Sequence, residues 1–201
     1  MRLHSPASGL VAAIRRRSPH AGERGSALIE FTFVMPLLLI LSLGVVEFGH
    51  LIQSRLILTN ICREGGSIGS RQQVLDDNLA ALLASSGRPL VLDGADGRVV
   101  VTRLKAGTSA ALPDPVVDAV VSTGSLSVAS HYGDEYPNLG LTEALYQRLV
   151  FDVDQAAPDI SEITVVEVTS RHRTLTPLPK VLEDLVLPDD GGLVLSSKSV
   201  F

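Results

Sequence analysis

The stretch RRRSPHAGERGSALIEFTFVMPLLLILSLGVVEFGHLIQSRLILTNICREGG, residues 15–66, decides how this chain folds. Between Glu30 and Glu47 lie sixteen uncharged residues, mostly Leu, Val, Ile, Phe and Met. At 1.5 Å per residue they cover about 24 Å, a little short of a hydrocarbon core of roughly 30 Å. Ala27, Leu28 and Ile29 on one side and Phe48 on the other close the gap. The segment is therefore long enough to span a membrane, with a carboxylate near each end.

Charge sets the orientation. Residues 1–25 carry five Arg (Arg2, Arg15, Arg16, Arg17, Arg24) against one acid, Glu23, whereas only Arg55 and Arg63 follow the apolar run closely. The positive-inside rule then puts the N-terminus in the cytoplasm and the chain after His50 outside it. A cleaved secretory signal also has a basic flank and an apolar stretch. The run here is longer than a usual signal core, however, and residues 44–50 contain no A-x-A-like site. A plain uncleaved anchor is the other reading of these residues.

Glu30 singles the segment out, because a carboxylate beside an apolar run is costly and marks a functional position by default. It lies five residues after Gly25, where the basic leader meets the apolar helix. One reading leaves it solvated at the headgroup level. Another gives it a function within the apolar segment. Pro36 removes the amide that would bond the Thr32 carbonyl, which predicts a kink. From Gly49 the helix is expected to continue through Ile61, with polar Gln53, Ser54, Arg55, Thr59 and Asn60 among apolar residues, and to stop at Gly65-Gly66.

The residues Gly25-Ser26-Ala27-Leu28-Ile29-Glu30-Phe31 resemble a type IV prepilin processing site. Together with Pro36, Gly44 and Glu47-Phe48-Gly49, they resemble the signature block of the TadE/TadG-like family of Tad (tight adherence, Flp-type) pilus systems. Arg63-Glu64-Gly65-Gly66 resembles the first half of a further family element, without its second Arg. The resemblance covers about a quarter of the chain. It implies cleavage by a prepilin peptidase between Gly25 and Ser26, with the helix retained. It also implies subunit registry through Glu30 and Phe31, a helix kink at Pro36, and family positions at Gly44, Glu47, Phe48 and Gly49. The implied function is that of a minor pseudopilin, a structural subunit needed for pilus assembly, adhesion and biofilm formation. Its implied partners are other pilin and pseudopilin subunits, the peptidase, the inner-membrane assembly platform and membrane lipid. Phe31 stands where the much shorter major subunit typically has Tyr, which favours a minor role. The alternative is a membrane-anchored or exported periplasmic binding module that is not processed as a pilin.

The remainder sets limits. The chain has 201 residues, a mean hydropathy of +0.29, 4% aromatics and no Trp, so a core outside the membrane must rest on aliphatic side chains. Residues 65–201 hold eighteen acids against ten Lys and Arg, which disfavours nucleic-acid binding. Cys62 is the single cysteine; it reads as a small buried residue, or as one half of an intermolecular disulfide if it meets an oxidising compartment. Residues 71–86 read as a helix with Leu75, Leu79, Leu82 and Leu83 on one face. Pro89–Leu92 and Arg98–Leu104 read as a hairpin about an Asp/Gly turn in which Asp93 and Asp96 lack the full calcium-loop pattern. Residues 105–140 read as loop with a short strand near Val116–Val121. A helix is expected from Thr142 with Leu141, Leu145 and Leu149 on one face, the clearest strand over Ile163–Thr169, and a short edge strand over Gly192–Leu195. A strand followed by a Pro-Leu-Pro element, here Pro177-Leu178-Pro179, is a further, weak likeness to the family.

Five scattered His form no His-x₃-His or His-Glu-x₂-His pattern, and neither a nucleophile elbow nor a phosphate loop is present. His131 near Asp134 and Glu135 reads as a solvated loop. No catalytic residue, metal ligand or cofactor is expected, and the chain is not expected to be an enzyme. The expected fold is α+β: a long N-terminal pilin-like helix, transmembrane in its first half, packed on a small antiparallel sheet domain with one or two short helices. The expected division is a basic cytoplasmic leader over 1–25, the helix over 26–64 and a periplasmic or extracellular domain over 65–201. The expected setting is the bacterial inner membrane, crossed once.

Overall fold

The computed structural model describes residues 20–72, 74–152, 154, 158–175 and 193–201, with side chains from residue 25 onward. Most of the leader and the Pro-Leu-Pro element lie outside these residues. The chain divides into two compact units, 1–43 and 44–201. Helix α1 (His20–Gly69) is followed by α2 (Asp77–Ser86), β1 (Gly97–Lys105), β2 (Val116–Thr123), a 3-10 turn over Pro137–Gly140, α3 (Glu143–Gln147), β3 (Glu162–Arg171) and β4 (Val194–Val200). The expected α+β class is observed: a long apolar helix, then a four-stranded sheet with short helices.

The sheet is antiparallel throughout, in the order β2-β1-β3-β4. Its central strands are buried on both faces, which is why VVVTRL in β1 and ITVVEVTS in β3 read as near-continuous apolar runs rather than as a strict alternation. Val99, Val101, Val166 and Val168 face Leu58, Ile61 and Cys62 of α1 and Leu79 and Leu83 of α2. Leu104, Ile163 and Val165 face the segment that carries Tyr132, Leu139, Leu141 and Leu149. The aliphatic side chains expected to build the core do so. The edge strands β2 and β4 are mostly exposed, and β2 carries a bulge opposite Arg103/Leu104 next to the Lys105–Asp118 ion pair of 2.8 Å.

Four expectations fail for identifiable reasons. Helix α1 does not stop at Gly65-Gly66 but runs to Gly69. A Cβ on Gly65 would lie 2.6 Å from Leu83 Cδ1, one on Gly66 would collide with the Phe201 ring, and one on Gly69 would lie 2.9 Å from Thr164 Cγ2. These glycines are therefore sites of close approach rather than helix terminators. Second, residues 71, 72 and 74–76 are not helical. Helix α2 starts at Asp77 because Asp76 caps it, its carboxylate accepting the Asn78 amide at 3.1 Å. Leu82 is exposed, not on the buried face formed by Leu79, Ala80, Leu83 and Ala84. Third, Pro89–Leu92 forms no hairpin with β1, whose two edges are occupied by β2 and β3. Leu92 is instead tucked into the core with no exposure. Fourth, the edge strand placed at 192–195 is β4, shifted on to Val194–Val200 and paired with β3 from Val165↔Val200 to Arg171↔Val194.

The buried Arg103 explains how α1 ends. Its Nη2 donates to the carbonyls of Gly69 at 2.7 Å and Gln72 at 2.5 Å, and its Nε lies 4.0 Å from Glu162 Oε2. The last carbonyls of a helix lack intrahelical partners and carry partial negative charge, so a cation from the sheet satisfies both needs.

Candidate functional site

The start of the apolar helix is the first candidate. Eleven large apolar side chains between Leu28 and Leu41 are exposed, among them Phe31 at 57% and Phe33 at 76%. The helix is continuous through Pro36. Among the described residues, one helix is long and apolar enough to cross a membrane, and its apolar window has a mean hydropathy of 2.3 with none of it buried. A helix that fills the core of a globular domain also passes a length-and-composition test, but its apolar window is buried; this window is not. Exposed apolar surface of this extent is too costly in water to leave uncovered.

Glu30 is the one acid in the stretch from Gly25 to Val46, and Ser26 Oγ lies one helical turn before it, donating to Oε1 at 3.5 Å. Nothing lies within 4 Å of a Cβ placed on Gly25, Gly44 or Gly49, so packing within the chain requires none of these glycines. The expected processing position Gly25-Ser26 and registry position Glu30-Phe31 thus sit together on an open helical surface.

Glu47 belongs to a different environment. Its Oε1 lies 3.0 Å from Nε2 of His172, and its oxygens accept the Leu175 amide at 3.1 and 3.4 Å. His50, one turn further along α1, places its ring 5.3 Å from that of His172 at a 42° interplanar angle. The side chains of His172 and Glu47 are only 4% and 12% exposed. Phe48 is 65% exposed and takes no part. Sequence reading picked out Glu47 as a motif position but not this cluster. The spacing Glu47-x-x-His50, which puts both side chains on one face of a helix, was the available signal. His172, distant in sequence, gave none.

The other residues considered fall into plainer roles. Cys62 is buried, its Sγ 3.1 Å from the Ser197 carbonyl, and burial pushes its thiol up to about 11. Asp93 and Asp96 sit in a turn, as expected. Asp96 binds Arg173, with Nε 2.9 Å from Oδ2, and this contact holds its carboxyl below the usual range. His131 contacts Glu167 rather than Asp134 or Glu135. Glu167 accepts the His131 amide at 3.1 Å, lies 3.1 Å from its Nδ1 and is bonded by Ser130 Oγ. The His131 side chain is 66% exposed, which makes this a loop anchor.

No curated protein and no solved structure matches the chain. Residues 25–67 match the family model described as TadE, TadE-like protein. The match begins at Gly25 and ends within α1, so it takes in both the exposed apolar stretch and the part of the helix that packs on the sheet. By this segment the chain is similar to TadE-like proteins, consistent with a TadE/TadG-like component of a Tad pilus.

Proposed function

We propose that this chain is a minor pseudopilin of a Tad, Flp-type pilus. A prepilin peptidase cuts after Gly25 on the cytoplasmic side of the inner membrane, removes the leader 1–25 and leaves Ser26 as the new N-terminus. The apolar helix stays in lipid and the sheet domain lies in the periplasm. The assembly platform then draws the subunit into a fibre with other pilin and pseudopilin subunits, and the fibre serves adhesion and biofilm formation.

One observation carries this reading. The helix from Gly25 presents an exposed apolar surface interrupted by a single carboxylate, Glu30, one turn from the residue that cleavage would make the N-terminus. In lipid or in a fibre core, a lone carboxylate and a lone ammonium are each costly. Pairing Glu30 of one subunit with the Ser26 ammonium of its neighbour removes both costs at one axial offset, and so sets the register.

The test is the N-terminus and intact mass of the protein extracted from membranes of a host with its native assembly system. The expected chain begins at Ser26, and Gly25→Leu, whose Cβ has nothing within 4 Å, is expected to abolish the cut without disturbing the sheet domain. Glu30→Gln is then expected to be processed normally but to accumulate in the membrane unassembled. A chain still beginning near Met1, or one beginning beyond Gly49, overturns the pseudopilin reading and leaves an anchored or exported binding module.

A further inference from the structure

Glu47, His50 and His172 form a group that the pilin reading does not use. All three belong to the compact unit 44–201. Glu47 and His50 are three residues apart on α1 and so share a face. His172 follows β3 directly, and its amide donates to the Leu193 carbonyl at 2.7 Å, which fixes its backbone beside β4. One donor atom from each residue, a carboxylate oxygen and two imidazole nitrogens, lies within 4.8 Å of the other two.

A second observation points to a ligand. Nδ1 of His50 is buried and has no hydrogen-bond partner among the described residues. The His172 side chain is 96% buried and turns Nε2 toward Glu47, so Nε2 is the nitrogen an ion there would meet. Buried polar atoms without a partner are rare and each calls for an explanation. Packing gives none here, because an apolar side chain of similar shape would fill the same space without the penalty.

We propose that Glu47, His50 and His172 bind a divalent transition-metal ion, Zn²⁺ by the character of the donors, and that the ion staples α1 to the end of β3. Two imidazoles and one carboxylate are a nitrogen-rich borderline set that suits zinc, whereas calcium and magnesium favour oxygen alone. Three protein ligands leave a fourth tetrahedral position for water. Bonds of about 2.0–2.2 Å place tetrahedral ligand atoms roughly 3.4 Å apart. The 3.0 Å between Glu47 Oε1 and His172 Nε2 is close to such an edge, and a His50 nitrogen lies within 4.8 Å of both partners' donor atoms. This site is independent of processing at Gly25: an uncleaved chain has the same three residues in the same place.

The experiment uses the full chain in detergent, purified without a histidine tag and stripped with a chelator. Zn²⁺ is titrated against a chromophoric competitor, Co²⁺ is added separately for its visible ligand-field bands, and Tm is followed against metal concentration. The expected result is one Zn²⁺ per chain, a Tm that rises with Zn²⁺, and affinity at least tenfold weaker in His50→Gln and in His172→Ala. His131→Ala is expected to bind as the parent does. His50 lies on a partly exposed helix face, so His50→Gln decides the matter even if His172→Ala fails to fold. Sub-stoichiometric binding by the parent overturns the proposal. So does a Co²⁺ spectrum unchanged by His50→Gln, which would place the ion elsewhere, for example on His4 or His20 near the N-terminus.

Discussion

Cys62 offers the sharpest test of whether the C-terminal part of α1 is truly the core of the sheet domain. The residue is 1% exposed, between Ile61 and the sheet, and its Sγ sits 3.1 Å from the Ser197 carbonyl on β4. Burial pushes the thiol from 9.0 up to about 11. At pH 8 an unperturbed thiol with the value of 9.0 is about 9% thiolate, and the buried one about 0.1%. The thiolate is the reactive species, so titration alone slows alkylation or disulfide exchange roughly ninety-fold in the native protein. Steric exclusion slows it further. The assay is the rate of reaction with a thiol reagent in detergent at pH 8, native and in denaturant.

The same shift predicts a pH dependence of stability. The folded value lies above the unfolded one, so the stabilisation is complete below pH 9 and is lost as pH rises through 11. At 1.36 kcal/mol per pH unit, about 1.4 kcal/mol has gone by pH 10 and about 2.7 kcal/mol once both states are ionised. Cys62→Ala lacks this loss, so its Tm should approach that of the parent, or overtake it, between pH 8 and pH 10.5. A native thiol that reacts within about threefold of the denatured rate would refute the buried placement, as would a Cys62-linked dimer on a non-reducing gel.

Other predictions concern the same domain. Arg103→Ala removes the cation from the carbonyls of Gly69 and Gln72 and should cost about 2–4 kcal/mol, a fall in Tm of roughly 5–12 °C; Arg103→Met, which keeps the volume, should cost less. Gly65→Ala should be at least about 1 kcal/mol less stable than Gly66→Ala in chemical denaturation. Its Cβ meets Leu83 and Val166, both buried, whereas that of Gly66 meets the Phe201 ring, which is 42% exposed and can swing away. Asp96 should titrate below 3.8 in a carboxyl-detected NMR experiment and return toward 3.8 in Arg173→Gln. With the folded value depressed, its contribution to stability is present above pH 3.8 and lost as pH falls below.

The long helix was legible in the sequence because an apolar run needs no partner to be recognised: sixteen uncharged residues bounded by carboxylates suffice. The β3 strand was legible for a similar reason, since a run of β-branched residues buried on both faces leaves the same mark wherever it pairs. What could not be read was anything decided by a distant neighbour. Gly65-Gly66 has the local signature of a helix end; only the presence of Leu83, Val166 and Phe201 turns it into a contact surface. Arg103 interrupts an apolar strand and looks out of place until α1 ends above it. Glu47 carried a local motif but not its meaning, because His172, 125 residues away, completes the group.

These contacts divide the TadE-like segment into two kinds of residue. From Leu58 to Gly66 its apolar and small residues are explained by packing: Leu58, Ile61 and Cys62 enter the core, and Gly65 and Gly66 admit its neighbours. From Gly25 to Leu41 packing explains none of them, since the side chains are exposed and the glycine has open space around it. A sequence pattern that one half of a helix owes to its own fold and the other half does not must draw the second half from outside the chain. For a continuous apolar surface bearing one carboxylate, that outside agent is lipid, a second apolar helix or a processing enzyme. The pseudopilin reading invokes all three in succession, and a plain membrane anchor invokes only the first. Gly25 and Glu30 are therefore where the two readings part. A substitution at either that leaves membrane retention intact but stops processing or assembly would select the pseudopilin.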